Sequence, residues 1–300
     1  MRKITYFSSL VLIFLVPWED SVSAVSLGSL VRLTGFVVAG LWLATLLIEG
    51  GFRKLHPFHV LVLLFFLWNF ASTFWSLNIE NTLQRIKTYS QIFILILIYW
   101  EVFQKPKELM TGLQAYVFGA YVPVISTIYN YLVGNVAVKY EGRYSATGVN
   151  AVDLALILML GLPIAMQLFF VASRDKKGVL LQLINLLYLP LSIFSIVLTG
   201  SRMSLIAIIP FFVFMAGTRQ IRVERKFLVF GVLLVSLLVL LPFIPQSVID
   251  RLASIGSSIG QGDLGGRINL WWEASAVLAK HPILGVGSGA VASNIGSAVH

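Results

Sequence analysis

Four places in this 300-residue sequence set cationic or titratable side chains where they can meet an anion or a hydroxyl. The turn Thr199-Gly200-Ser201-Arg202 puts one arginine between two apolar runs, with no acidic residue within ten positions on either side. A guanidinium left beside hydrocarbon without a partner is costly. Gly200 permits a tight turn, Ser201 suits the N-cap of the next helix, and Arg202 then opens its first turn. The helix dipole disfavours a cation there, whereas an anion gains from the free N–H groups and the guanidinium together. An arginine reaching out to lipid phosphates fits the same residues. The second place is Gly265-Gly266-Arg267, which opens an amphipathic stretch with Leu270, Trp271, Ala274, Val277 and Leu278 at helical spacing among Asn269, Glu273 and Lys280. Trp271 and Trp272 suit a helix at a membrane interface. His281-Pro282 ends it, and the run Gly285-Val286-Gly287-Ser288-Gly289 follows as a phosphate cradle or a plain turn. The third is Arg143, either a further anion contact or the partner of Glu141, shortly before the helix-capping candidates Asn150 and Asp153. The fourth is His300, at a chain position that ordinarily reads as surface.

What must position these residues is a membrane scaffold. The chain is 58% hydrophobic and only 12% charged, and several apolar runs approach the length of a helix that spans a bilayer. The expected fold is all-α and polytopic, with nine segments near residues 4–16, 31–48, 58–76, 86–103, 109–133, 152–172, 179–199, 202–217 and 227–244. Residues 1–244 then form the transmembrane helical domain, and 245–300 form a polar, Gly- and Ser-rich extracytoplasmic region, partly helical. The first segment also fits a signal peptide ending at Ala24.

With the N-terminus in the cytoplasm and alternating spans, the inner loops hold thirteen basic and five acidic residues, a net of +8. The outer side, which includes the Arg202 turn and residues 245–300, holds nine basic and eight acidic residues, a net of +1. The overall charge of +9 is therefore a topology signal, and no nucleic-acid partner is needed to explain it. There is no cysteine, so disulfides and Cys-ligated metals are excluded. No histidine pair has the i, i+4 metal spacing and no carboxylate cluster suggests an octahedral ion site, so neither a metal nor another cofactor is expected.

The ordered set TGSRMSLIA (Thr199–Ala207), GGRINLWWEASAVLAKHPILGVGSGAV (Gly265–Val291) and the closing Val299-His300, preceded by GRYSATGVNAVDLALILMLGLPIA from Gly142, resembles the O-antigen ligase and polymerase family of bacterial envelope glycosyltransferases. The resemblance implies a GT-C-like helical membrane fold in the bacterial inner membrane, with the active face periplasmic. It implies an undecaprenyl-diphosphate-linked glycan donor, a lipid A core or glycan acceptor, and a metal-independent transfer. Carried over to this chain, Arg202 and Arg267 are associated with the lipid-linked diphosphate, and His300 is the base that activates the acceptor hydroxyl. Arg143 is a further substrate-contact candidate. Family members usually continue beyond this histidine with more outer region and further helices, which implies that the C-terminal part is incomplete here. The competing functional readings are a transporter or flippase for an envelope lipid or polysaccharide, and an inactive truncated remnant. The near absence of charge within the spans and its gathering on the outer rim favour interfacial chemistry over translocation.

Overall fold

The computed structural model describes residues 1–21, 23–24, 28–136, 142–172, 178–218, 223–253 and 267–291. Helix follows helix: α1 (Arg2–Leu15), α2 (Leu30–Glu49), α3 (Pro57–Ala71), α4 (Ile79–Val102), α5 (Pro106–Leu132), α6 (Ala151–Ala172), α7 (Val179–Leu198), α8 (Arg202–Gly217), α9 (Val223–Leu240), α10 (Gln246–Ala253) and α11 (Arg267–Lys280). Among the described residues the extended structure is a two-residue antiparallel pair, Ser23–Ala24 with Gly28–Ser29. The protein is thus an all-α, polytopic membrane protein. Each of the nine apolar segments lies in a helix, and six described helices are long and apolar enough to cross a membrane: those beginning at Leu30, Pro57, Pro106, Ala151, Val179 and Val223. α1 and α8 are shorter, with 14 and 16 residues. α4 has 24 residues, but Glu80, Arg85, Lys87 and Glu101 dilute its apolar character. It starts seven residues before the apolar run because Asn78 caps it, its Oδ1 accepting the Asn81 N–H at 3.1 Å.

The helices fall into two compact units. One holds residues 1–2, 39–103 and the described part of 256–300; the other holds 3–38 and the described part of 104–255. In the second unit α6 packs against α7, and α5 packs against both. Their core is built from Val117, Leu154, Leu158, Leu162, Tyr188 and Ile196, all fully buried. Outward-facing side chains stay apolar, as Leu180, Phe214 and Leu238 show. Such an apolar exterior is the mark of helices solvated by lipid tails. α9 takes this furthest: of its residues only Val229 is buried.

A pair of side-chain amides bonds across the apolar core. Gln114 on α5 and Asn185 on α7 exchange amide hydrogen bonds at 3.1 and 2.9 Å, and Asn185 is fully buried. Removing one partner strands the other in a region without water. Asn185→Leu is expected to destabilise the protein by about 1 kcal/mol, and Asn185→Leu with Gln114→Leu by less than either single change. Unfolding in detergent checks both.

Candidate functional site

The Arg202 turn closes α7 and opens α8 through a tight set of bonds. The Thr199 N–H donates to Ser195 O at 3.1 Å and the Gly200 N–H to Val197 O at 2.9 Å. The Thr199 hydroxyl donates to Ile196 O at 2.6 Å and accepts the Ser201 N–H at 3.3 Å. Gly200 has φ +59°, so the reversal needs the residue that adopts this conformation without strain. Ser201 is the N-cap, but its hydroxyl does not bond a helix N–H as expected. It pairs instead with the Ser204 hydroxyl one turn on, at 2.8 Å. Arg202 is the first residue of α8, half-buried, and already engaged within the chain. The sequence picture of a cation with nothing near it therefore gives way.

One of the expected site residues is brought to this turn. Arg143 is 3% exposed, and its Nε donates to Thr199 O at 2.6 Å. Beside it the Tyr144 N–H donates to Leu198 O at 3.0 Å. The strand of chain before α6 thus clasps the last carbonyls of α7. The same loop is fastened elsewhere by Asn130, whose Nδ2 donates to Ser145 O at 2.8 Å. The Ser247 hydroxyl on α10 donates to Gly142 O at 3.2 Å. Asn150 does cap α6: its Oδ1 accepts the Val152 N–H at 2.9 Å, while Asp153 stands in the first turn.

Below the turn an apolar slot of about 320 Å³ opens between α7 and α9, lined by Phe194, Val197, Phe212, Phe230, Leu237 and Ile244 among others. Its upper end at Val197 is two residues from Thr199.

In the other unit, Arg267 opens α11 as expected, and Trp271 and Trp272 are exposed on it. One carboxylate oxygen of Glu273, on the same helix, is buried without a hydrogen-bond partner among the described residues. The glycine run after α11 is a docked turn. Trp75 Nε1 donates to Leu284 O at 2.9 Å, the Leu77 N–H to Val286 O at 3.0 Å, and the Ser288 N–H to Ser72 Oγ at 3.1 Å. A Cβ on Gly287 (φ +96°) would stand 2.5 Å from Ser76 Oγ, and one on Gly289 (φ +76°) 2.6 Å from the Arg85 stem. The glycines allow close approach to the end of α3 and the start of α4, and the Ser288 amide is engaged there. Phosphate cradling finds no support in this arrangement. Gly287→Ala combines a strained φ with this overlap, of order 1–3 kcal/mol. Amide exchange at Leu77 is expected to quicken roughly tenfold or more, read by hydrogen–deuterium exchange.

Sequence reading missed Ser72, Ser76, Trp75 and Arg85 as the seat of the loop, and Thr199 O as the acceptor for Arg143. Only the glycine spacing hinted at the first. Arg202 and Arg267 belong to different compact units, and His300 lies outside the described residues.

No curated protein and no solved structure matches the chain. A family model described as O-antigen ligase matches residues 187–299, a stretch that includes Arg202 and Arg267 and leaves out Arg143 and His300. Over residues 187–299 the chain is therefore similar to the O-antigen ligase family, the likeness that the motifs from Thr199 onward implied.

Proposed function

We propose that this protein is a membrane glycosyltransferase of the O-antigen ligase or polymerase type. It moves a saccharide from undecaprenyl diphosphate onto lipid A core or onto another glycan chain, at the periplasmic face of the inner membrane. The observation that supports this reading is the similarity to the O-antigen ligase model over residues 187–299, a range that includes Arg202 and Arg267, on a multi-pass helical chain.

In this reaction the bond between the anomeric carbon and the diphosphate oxygen breaks, and a bond from that carbon to the acceptor oxygen forms. The leaving undecaprenyl diphosphate gathers negative charge, which Arg202 and Arg267 stabilise most strongly where water is excluded. His300 takes the proton of the attacking hydroxyl, a task suited to a group that titrates near neutrality. A single displacement inverts the anomeric configuration. The apolar slot reaching Val197 offers the lipid part of the donor a dry place beside the Arg202 turn.

The glycan profile of a strain deleted for the gene tests the reading. Loss of lipid A-linked chains identifies a ligase, and chains shortened to one repeat identify a polymerase. An unaltered profile, with every envelope glycan at its normal length and attachment, overturns it.

A further inference from the structure

Two arginines flank one turn, and the electrostatics of the helix ends separate their roles. Thr199 is the C-cap of α7, so its carbonyl belongs to the negative end of a helix, where a cation is favoured. Arg143 sits there, buried, with Nε 2.6 Å from Thr199 O. Arg202 sits at the opposite kind of site, the positive start of α8, where a cation is disfavoured until an anion joins it.

We infer that Arg143 is a positioning residue, which holds the Thr199–Ser201 turn so that Arg202 is aimed at the diphosphate of the donor, and that it does not itself bind substrate. The inference rests on the proposed transferase reading for its functional half, while its structural half stands on the bond to Thr199 O. Three observations support it. Its Nε–H is directed at a backbone carbonyl and the side chain is 3% exposed. The turn it grips is already short of freedom: Thr199 Oγ1 accepts the Ser201 N–H, Ser201 pairs with Ser204, and Gly200 holds φ +59°. A shift of the Thr199 carbonyl is therefore passed directly to the first turn of α8. The Tyr144 N–H bond to Leu198 O is a backbone bond that survives loss of the Arg143 side chain. The chain stays attached while its aim is lost.

The cysteine-free sequence provides a clean reporter. Ser201 is buried in the turn, so a Ser201→Cys thiol reads its tightness by reaction with a membrane-impermeant maleimide. In that background Arg143→Gln is expected to raise the labelling rate roughly tenfold, with Arg143→Lys restoring part of the protection. In the protein without the reporter, Arg143→Gln is expected to raise the KM for a lipid-linked donor about tenfold and leave the acceptor KM alone. A loss of folded protein would instead lower the rate at saturation and move neither KM. Unchanged labelling in Arg143→Gln overturns the inference, as does faster labelling with an unchanged donor KM. If the parent protein transfers no glycan, it is the proposed function that fails, and labelling alone decides whether Arg143 sets the turn.

Discussion

Arg202→Ala and Arg267→Ala, introduced at the chromosomal locus, are each expected to abolish glycan transfer while the protein stays in the membrane at its normal level. Removing one donor aimed at developing negative charge typically costs about 10²–10³-fold in rate. The Arg202 side chain is half-buried and engaged within the chain, while Thr199, Gly200 and Ser201 hold the turn through bonds of their own. Arg267 opens a helix whose exposed face carries Trp271 and Trp272. Arg202→Lys keeps the charge but not the planar fork, so partial activity is expected. His300→Ala in the same strain probes proton removal, with a loss of about 10²–10⁴-fold. The glycan ladder gives the activity and immunoblotting of the membrane fraction gives the level. Normal transfer by both arginine variants would remove the diphosphate from the mechanism.

Gly119→Ala is expected to cost about 3 kcal/mol, at the upper end of what overpacking does. α1 ends against α5 with backbone on backbone: a Cβ at Gly119 would lie 2.0 Å from Phe14 O and 2.9 Å from Phe14 C. No side-chain rotation relieves that overlap, so α1 must move off. The Phe14 carbonyl also accepts Trp18 Nε1 at 2.9 Å, so the turn after α1 moves with it. Small residues permit this kind of close helix approach in membranes, where burial of apolar surface drives little. Gly35 and Gly231 are the controls, since nothing lies within 4 Å of a Cβ at either. Their Ala variants are expected to hold or slightly raise stability through helix propensity alone. Thermal unfolding in detergent should separate the three. A Gly119→Ala midpoint equal to the parent's would mean that α1 does not rest there.

The helices were legible because each rests on local chemistry. Apolar length marks α5, α6, α7 and α9, Asn150 caps α6, and the Gly-Ser-Arg and Gly-Gly-Arg starts mark α8 and α11. The start of α4 was not, because its first turns are polar and only the Asn78 cap declares them. The TGSR turn could be named as a candidate anion site from its residue types, but its bracing could not. Arg143 and Thr199 are 56 positions apart, and no periodicity links them. The contact of Ser288 with Ser72, 216 positions apart, was hidden in the same way. Close approaches at Gly119 and Gly287 depend on which backbone passes by, and a glycine alone does not say that.

The bond from Arg143 to Thr199 also orders events during synthesis. Arg143 leaves the ribosome 56 residues before the carbonyl it will grip, and all of α6 and α7 must be made and paired in between. Until that hairpin is in the bilayer the turn has no clasp. Contacts of such separation form only after the chain between them is organised. The segment bearing Arg202 is thus finished late in the assembly of its unit, and slowing the insertion of the α6–α7 pair would delay competence well beyond the time needed to translate it.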